Sequence, residues 1–292
     1  REINTGIMFT PRGRLEGWLE GLSNHNAQGE YYLTDVIALA AEAGLRIETR
    51  QTAFPQEVEG INSRGQLAVI ERWYQRHLAE QLMAEGVTLF DPARIDIRGT
   101  LVTGRDVTID VNVVFEGDVQ LGTDVSIGPN CVISNSIVGD GVVIHANSVL
   151  EGAEVKHQAT IGPYARLRPG TVLCEGAKIG NFVETKKSVI GPGAKVNHLS
   201  YVGDSDVGDR VNVGAGTITC NYDGVNKHKT VLEADVFVGS NTSLVAPVTV
   251  KAGATIGAGS TITSDIGPKQ LAVARGKQRN LDGWSRPKKK ND

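Results

Sequence analysis

The side chains best suited to chemistry crowd into the second half of this 292-residue chain. Asn197, His198 and Tyr201 lie close together, Asn212 follows them, and Arg168 and Lys186 precede them. A histidine suits general-base work near neutral pH, since its reference pKa of about 6.5 lets it take and return a proton there. Two cations stacked on one face can hold a phosphate. Each has a plainer alternative: one histidine can be a solvated corner residue, and a lysine or arginine a solvated charge. His198, Tyr201 and Asn212 converge on a few consecutive repeats, beside a stretch where the repeat breaks, and that convergence favours chemistry. Cys131, Cys174 and Cys220 have no evident base partner and read as small buried or corner residues. Their spacing fits no metal motif, and their odd number suits a reducing compartment.

These residues need a scaffold, and the sequence describes one. Glycine accounts for 35 residues and aromatics for only 5%, a composition rich in turns and small-residue stacking. From about Ile95 an aliphatic residue returns every sixth position. Examples are Leu121, Ile127, Ile161, Leu167, Leu173, Ile179, Ile190, Val207 and Val213, and later Val238, Leu244, Val250, Ile256 and Ile262. About nineteen such units can be counted, with five-residue slips before Val138, Ile161, Ile190 and Val207 and one insertion at about 219–237. A period of six fits neither a helix face nor an alternating strand. It fits a coil of three short strands, each giving one side chain to a triangular interior, with coils stacked along one dimension. That is a parallel β-helix. The period leaves its hand open, and parallel crossovers are right-handed as a rule. His198 falls at a corner of its repeat. From the repeats alone, an enzyme and a trimeric scaffold that binds without chemistry stand level.

Residues before about 90 read as helical. Thr34 is placed to cap a helix over 35–43, with Gly44 at its end. A second helix over about 63–85 carries Leu67, Ile70, Tyr74, Leu78 and Leu82 on one stripe, Gly86 ends it, and Asn62-Ser63 can cap its start. These helices lack a complete core of their own. The chain starts at Arg1 in what reads as mid-domain sequence, so an N-terminal portion is expected to precede it. With 30 basic against 33 acidic residues, nucleic acid is not the default partner. No apolar run reaches 18 residues, so no membrane-spanning helix is expected. The basic run Arg286-Pro-Lys-Lys-Lys290 reads as a solvated tail.

The hexapeptide series resembles the acyltransferases built on a left-handed β-helix. More specifically, Glu2-Ile-Asn-Thr-Gly6, Asn26-Ala-Gln-Gly-Glu-Tyr-Tyr32, Glu59-Gly-Ile-Asn62, Asp91-Pro-Ala-Arg94, the Asn197-His-Leu-Ser-Tyr201 motif and Gly214-Ala-Gly-Thr-Ile-Thr-Cys-Asn-Tyr-Asp-Gly224 resemble the bacterial bifunctional glucosamine-1-phosphate acetyltransferase and N-acetylglucosamine-1-phosphate uridyltransferase. That resemblance covers essentially the whole chain. It implies a mainly β fold: 1–64 a remnant of an α/β nucleotidyltransferase domain, 65–94 a linker helix, and 95–292 a left-handed β-helix with a C-terminal tail.

It also implies roles. His198 would be the base for direct attack of the glucosamine 1-phosphate amine on acetyl-CoA. Arg168, Lys186 and Lys227 would meet the phosphate, and Tyr201 and Asn212 would orient the sugar. Ala215, Asn221, Tyr222, Ser240, Ala258 and Arg275 would contact acetyl-CoA. Asn4 and Asn62 would touch UDP-N-acetylglucosamine, and Asn62 would ligate Mg²⁺ for the uridyltransferase reaction. The implied assembly is a homotrimer with sites built from neighbouring subunits, in the bacterial cytoplasm, feeding peptidoglycan and lipid A precursors, with no nucleic acid or membrane partner. The nucleotide loop and the metal-sharing aspartate of that family have no counterpart here, so this chain alone is expected to lack uridyltransferase activity. Another hexapeptide-repeat acyltransferase remains the alternative enzyme.

Overall fold

The structure, a computed structural model, describes residues 5–286. Asn4 and the lysines of the basic tail lie outside the described residues. The chain divides into two compact units, Arg1–Tyr74 and Gln75–Asp292.

The first unit contains α1 (Arg12–Glu20), α2 (Asp35–Glu42), a short 3-10 turn over Pro55–Val58 and the start of α3 (Arg64–Ala84). Thr34 does not cap α2 as expected. Its backbone is already helical (φ −60°, ψ −23°) and its hydroxyl makes no cap bond, whereas a capping side chain needs extended backbone to reach the first free N–H groups. The C-terminal expectation is met. Gly44 adopts φ +71°, and the N–H groups of Gly44 and Leu45 donate to the carbonyls of Ala41 and Ala40, which satisfies two otherwise orphan acceptors. Asn62 and Ser63 do cap α3: the Gln66 N–H donates to Ser63 Oγ at 3.2 Å, and Gln66 Oε1 accepts the Asn62 N–H at 2.8 Å. Among the described residues of this unit only Val36 is a buried hydrophobic, so these helices have little core of their own.

The second unit is a stack of parallel coils. One face is a ladder of eleven strands among the described residues, from Thr88–Leu89 to Leu271–Ala272. The other two faces run on from the long strands Ile95–Thr103 and Val113–Leu121. Every sixth side chain points inward, as on face one with Ile109, Ile127, Ile144, Ile161, Ile179, Val196, Val213, Val238 and Ile256, all at most 3% exposed. Each meets its counterpart in the next coil through parallel pairing.

Two details of register differ from the sequence expectation. The slip assigned before Ile161 lies before Val155, because Leu150 pairs with Leu167 while Val155 pairs with Val138 and Leu173. Several aliphatics in succession offered two registers, and only strand pairing decides between them. The insertion is also shorter than expected: regular strands resume at Thr230–Leu232, so the break spans 221–229.

The stripe proposed for α3 holds only in part. Leu82 is buried, but Leu67 and Tyr74 are about half exposed. The buried positions are Gln75, Ala79 and Leu82. The amide of Gln75 donates to the Ile97 carbonyl (2.8 Å) and accepts the Ile97 N–H (2.7 Å). It thus replaces a missing strand at the first coil, where buried backbone groups would otherwise be unpaired. Gln75→Leu is expected to cost about 1–3 kcal/mol, the usual penalty for a buried polar group left unsatisfied, measured as a lowered urea midpoint. An unchanged midpoint would show that this end of the coil needs no polar cap.

Candidate active site

His198 ends the strand Lys195–His198, which leaves its ring exposed at the corner where face one turns into face two, the face of strands Arg166–Leu167, Glu184–Lys186 and Tyr201–Gly203. The parallel ladder sets Asn181 directly beneath it, and His198 Nδ1 lies 2.5 Å from Asn181 Oδ1. An amide oxygen only accepts, so with the amide oriented this way Nδ1 carries the hydrogen and Nε2 keeps its lone pair. The Ser200 hydroxyl and the Gly216 N–H both donate to the His198 carbonyl, at 2.8 and 3.4 Å, which fixes the backbone under the ring. An open groove of about 640 Å³ lies alongside, lined by His145, Pro163, Lys178, Asn181, Asn197 and His198 among others.

Register then orders the next coils. Val196, Val213, Val238 and Ile256 are paired in sequence, so two residues further on His198, Ala215, Ser240 and Ala258 form one column up the same corner. With about 4.8 Å between parallel strands, the column runs about 14 Å. Above His198 its side chains are all small. Arg275 sits at its far end and donates from Nη1 to the Ala258 carbonyl at 2.6 Å. Four residues singled out in the sequence, together with His198, are therefore brought into one line.

A second group gathers at the far edge of face two. Leu167 pairs with Thr185 and Lys186 with Gly203, so Arg168, Lys186 and Gly203 stack in successive coils. Glu184 accepts from Arg168 at 2.8 Å and offsets part of its charge. Lys227, carried by the insertion, lies near enough to Lys186 to be its strongest electrostatic neighbour. The Lys186 pKa is lowered chiefly by Lys227, with further contributions from desolvation and Arg168, while Asp204 opposes them. Like charges this close favour an anion between them.

Tyr201 lies flat along its strand over Gly203. A Cβ at Gly203 would fall 2.3 Å from the Tyr201 hydroxyl and 2.6 Å from Cζ. The missing side chain therefore lets the phenol extend toward the cationic edge, bridging the span from His198.

The coil opens here without losing its ladder. Thr219 Oγ1 accepts the Gly203 N–H at 2.8 Å, which frees the Thr219 carbonyl to accept the Asn221 N–H that starts the insertion. Asn221 is 7% exposed, and its side-chain amide donates to Asp204 at 2.5 Å. Tyr222 is exposed, with its hydroxyl on the Gly224 carbonyl. Asn212 lies on face one above Lys195, away from the cationic edge. The thiols of Cys131 and Cys174 are pushed up by burial, which disfavours a thiolate nucleophile. Asn62 is exposed, and no group of three or more metal-binding His, Cys, Asp or Glu occurs among the described residues. A single amide does not meet the octahedral oxygen demand of Mg²⁺, so the described residues do not fit that ion.

Residues 101–135 match the family described as bacterial transferase hexapeptide (six repeats). Over 289 residues, 99% of this chain, it is 65% identical to the bifunctional protein GlmU of Marinobacter nauticus, and over 290 residues 60% identical to that of Stutzerimonas stutzeri. The chain is thus similar to bifunctional GlmU proteins over nearly its whole length. It spans 64% of the length of those two relatives. The fold is a parallel β-helix of hexapeptide repeats, as the six-residue period predicts. Among solved structures, LpxA from Acinetobacter baumannii is 16% identical, covering 64% of this chain and 71% of that one at a TM-score of 0.40. The UDP-N-acetylglucosamine acyltransferase of Francisella novicida is also 16% identical, covering 64% and 65% at 0.32. At such scores the overlap supports no statement about chemistry. No helix among the described residues is long and apolar enough to cross a membrane.

Asn181, Gly203 and the threonines at 185 and 219 were not singled out in the sequence. The threonines carried a signal, since they stand at inward positions otherwise held by aliphatics. Gly203→Ala tests the Tyr201 placement. The backbone there needs no glycine geometry, so thermal stability should hold while a crystal structure of the variant shows the ring displaced from its strand. A ring left in place would show that the glycine is not what lets the phenol lie there.

Proposed function

We propose that this chain transfers the acetyl group of acetyl-CoA to the amine of glucosamine 1-phosphate, releasing CoA and N-acetylglucosamine 1-phosphate. The observation that carries this reading is the pair of columns: a tautomer-fixed histidine at the foot of a small-residue track, and an under-neutralised cationic edge across the same face. The sugar would lie over Tyr201, with its phosphate between Arg168, Lys186 and Lys227 and its amine toward His198. The pantetheine arm would follow Ala215, Ser240 and Ala258, with Arg275 meeting a cofactor phosphate.

His198 Nε2 takes a proton from the substrate ammonium. The freed amine then attacks the thioester carbonyl to give a tetrahedral intermediate with a positive nitrogen, which collapses with expulsion of the CoA thiolate. The imidazolium returns its proton to that thiolate and the nitrogen sheds its remaining extra proton to solvent, so no acyl-enzyme forms and the reaction releases one proton overall. Asn181 keeps Nδ1 protonated throughout.

The similarity to bifunctional GlmU proteins supports the same assignment, together with a homotrimer, a bacterial cytoplasmic setting and a product destined for uridylylation to UDP-N-acetylglucosamine. We expect no UTP turnover from this chain alone, because Asn62 is a single amide where Mg²⁺ requires a fuller oxygen set. A coupled assay that detects UTP consumption would contradict this.

Thiol release from acetyl-CoA on adding glucosamine 1-phosphate tests the main reading. His198→Ala should lose about 10²–10⁴-fold in rate, the usual range for a general base, while keeping the parent's oligomeric state. An active His198→Ala variant would overturn the assigned base. A folded but inactive parent would overturn the substrate.

A further inference from the structure

The insertion holds two lysine ammoniums together, an arrangement that is unfavourable without a structural restraint. The restraint is visible in the loop itself. Residues 221–229 form a tight hairpin in which Tyr222 bridges to Lys227, the Asp223 N–H donates to the Asn226 carbonyl (3.2 Å), and the His228 N–H donates to the Asn221 carbonyl (2.8 Å). At its centre the Asp223 carboxylate accepts three hydrogen bonds, from the Val225 N–H at 2.8 Å, the Asn226 N–H at 2.6 Å and His228 Nε2 at 2.7 Å. His228, then those two backbone donors, hold its pKa well below the usual carboxylate range. The hairpin is anchored to the coil through the Asn221–Asp204 bond. Asp223 is four residues from Lys227 and is the nearest carboxylate in the loop sequence. It turns inward to His228 and so is not spent on Lys227, the strongest electrostatic influence on Lys186.

We propose that Asp223 and His228 are positioning residues for the phosphate of the acceptor: their pairing rigidifies the 221–229 hairpin and holds Lys227 against Lys186. The proposal rests on the phosphate reading of the Arg168–Lys186–Lys227 edge. In the unliganded protein the latch balances the lysine–lysine repulsion, and a bound phosphate dianion relieves it. Without the latch, Lys227 swings away or pairs with Asp223, and the phosphate loses one of its cations.

The test is a double-mutant cycle on the intact oligomer, reading KM for glucosamine 1-phosphate and for acetyl-CoA separately. Asp223→Ala and His228→Ala should each raise the glucosamine 1-phosphate KM about tenfold, with less than a twofold change for acetyl-CoA. Asp223→Ala should add nothing on top of Lys227→Ala, and His228→Gln, which keeps a donor, should recover part of the loss. If the Asp223 and Lys227 effects multiply, or both KM values rise together, the latch is wrong and Asp223 serves only loop folding. If Lys227→Ala raises the glucosamine 1-phosphate KM while Asp223→Ala and His228→Ala do not, the latch fails and the phosphate reading stands. If Lys227→Ala itself leaves that KM unchanged, the phosphate reading fails too.

Discussion

The structure depends on one repeated contact, an aliphatic side chain stacked on its counterpart one coil away. Each inward Ile, Leu or Val removes apolar surface from water, worth about 1.5–3 kcal/mol before conformational entropy is counted. That gain is available only if every coil keeps the same register as the last. Because register is enforced inside, it is also enforced outside. Any two outward residues at matching positions are held about 4.8 Å apart, whatever their chemistry. The His198–Asn181 pair and the Ala215–Ser240–Ala258 track are products of that rule, as is the stacking of Arg168 and Lys186.

Polar function enters where the interior itself turns polar. Thr185 and Thr219 replace inward aliphatics in the coils that carry Lys186 and the start of the insertion. Thr171 and Thr185 hydrogen-bond each other at 3.1 Å, so the interior hydroxyl of Thr185 is not left unpaired. Thr219 lends its hydroxyl to the ladder while its carbonyl starts the loop. The coil is therefore opened at one point without losing the stacking on either side, and the opening delivers Lys227 to the face where Lys186 stands.

Much of this was legible in the sequence. The six-residue period gave the coil, and the corner position of His198 gave an exposed ring, because both depend only on counting. The 17-residue offset that sets Asn181 under His198 follows from the slip before Ile190, which aliphatic spacing locates; the bond itself needs the amide turned toward Nδ1, which no spacing records. Where two registers are open, as at Val155, strand pairing decides. The Tyr201–Gly203 contact depends on a ring lying along its strand, and the Asp223–His228 pair on a hairpin within an irregular stretch. Neither leaves a periodic trace. In the helical segment, Gln75 leaves no sequence signal because a polar residue at a buried position breaks the apolar stripe. It is buried because it substitutes for strand backbone.

The central claim is that register lays the donor's path past His198 and that register, with Lys227 from the insertion, sets the acceptor's phosphate at the opposite edge of face two. A crystal structure with a non-hydrolysable acetyl-CoA analogue and glucosamine 1-phosphate tests it most directly. The account predicts the pantetheine arm along Ala215, Ser240 and Ala258, the acyl carbon beside His198, and the phosphate among Arg168, Lys186 and Lys227. A cofactor bound on another face, or a phosphate held away from that edge, would contradict it.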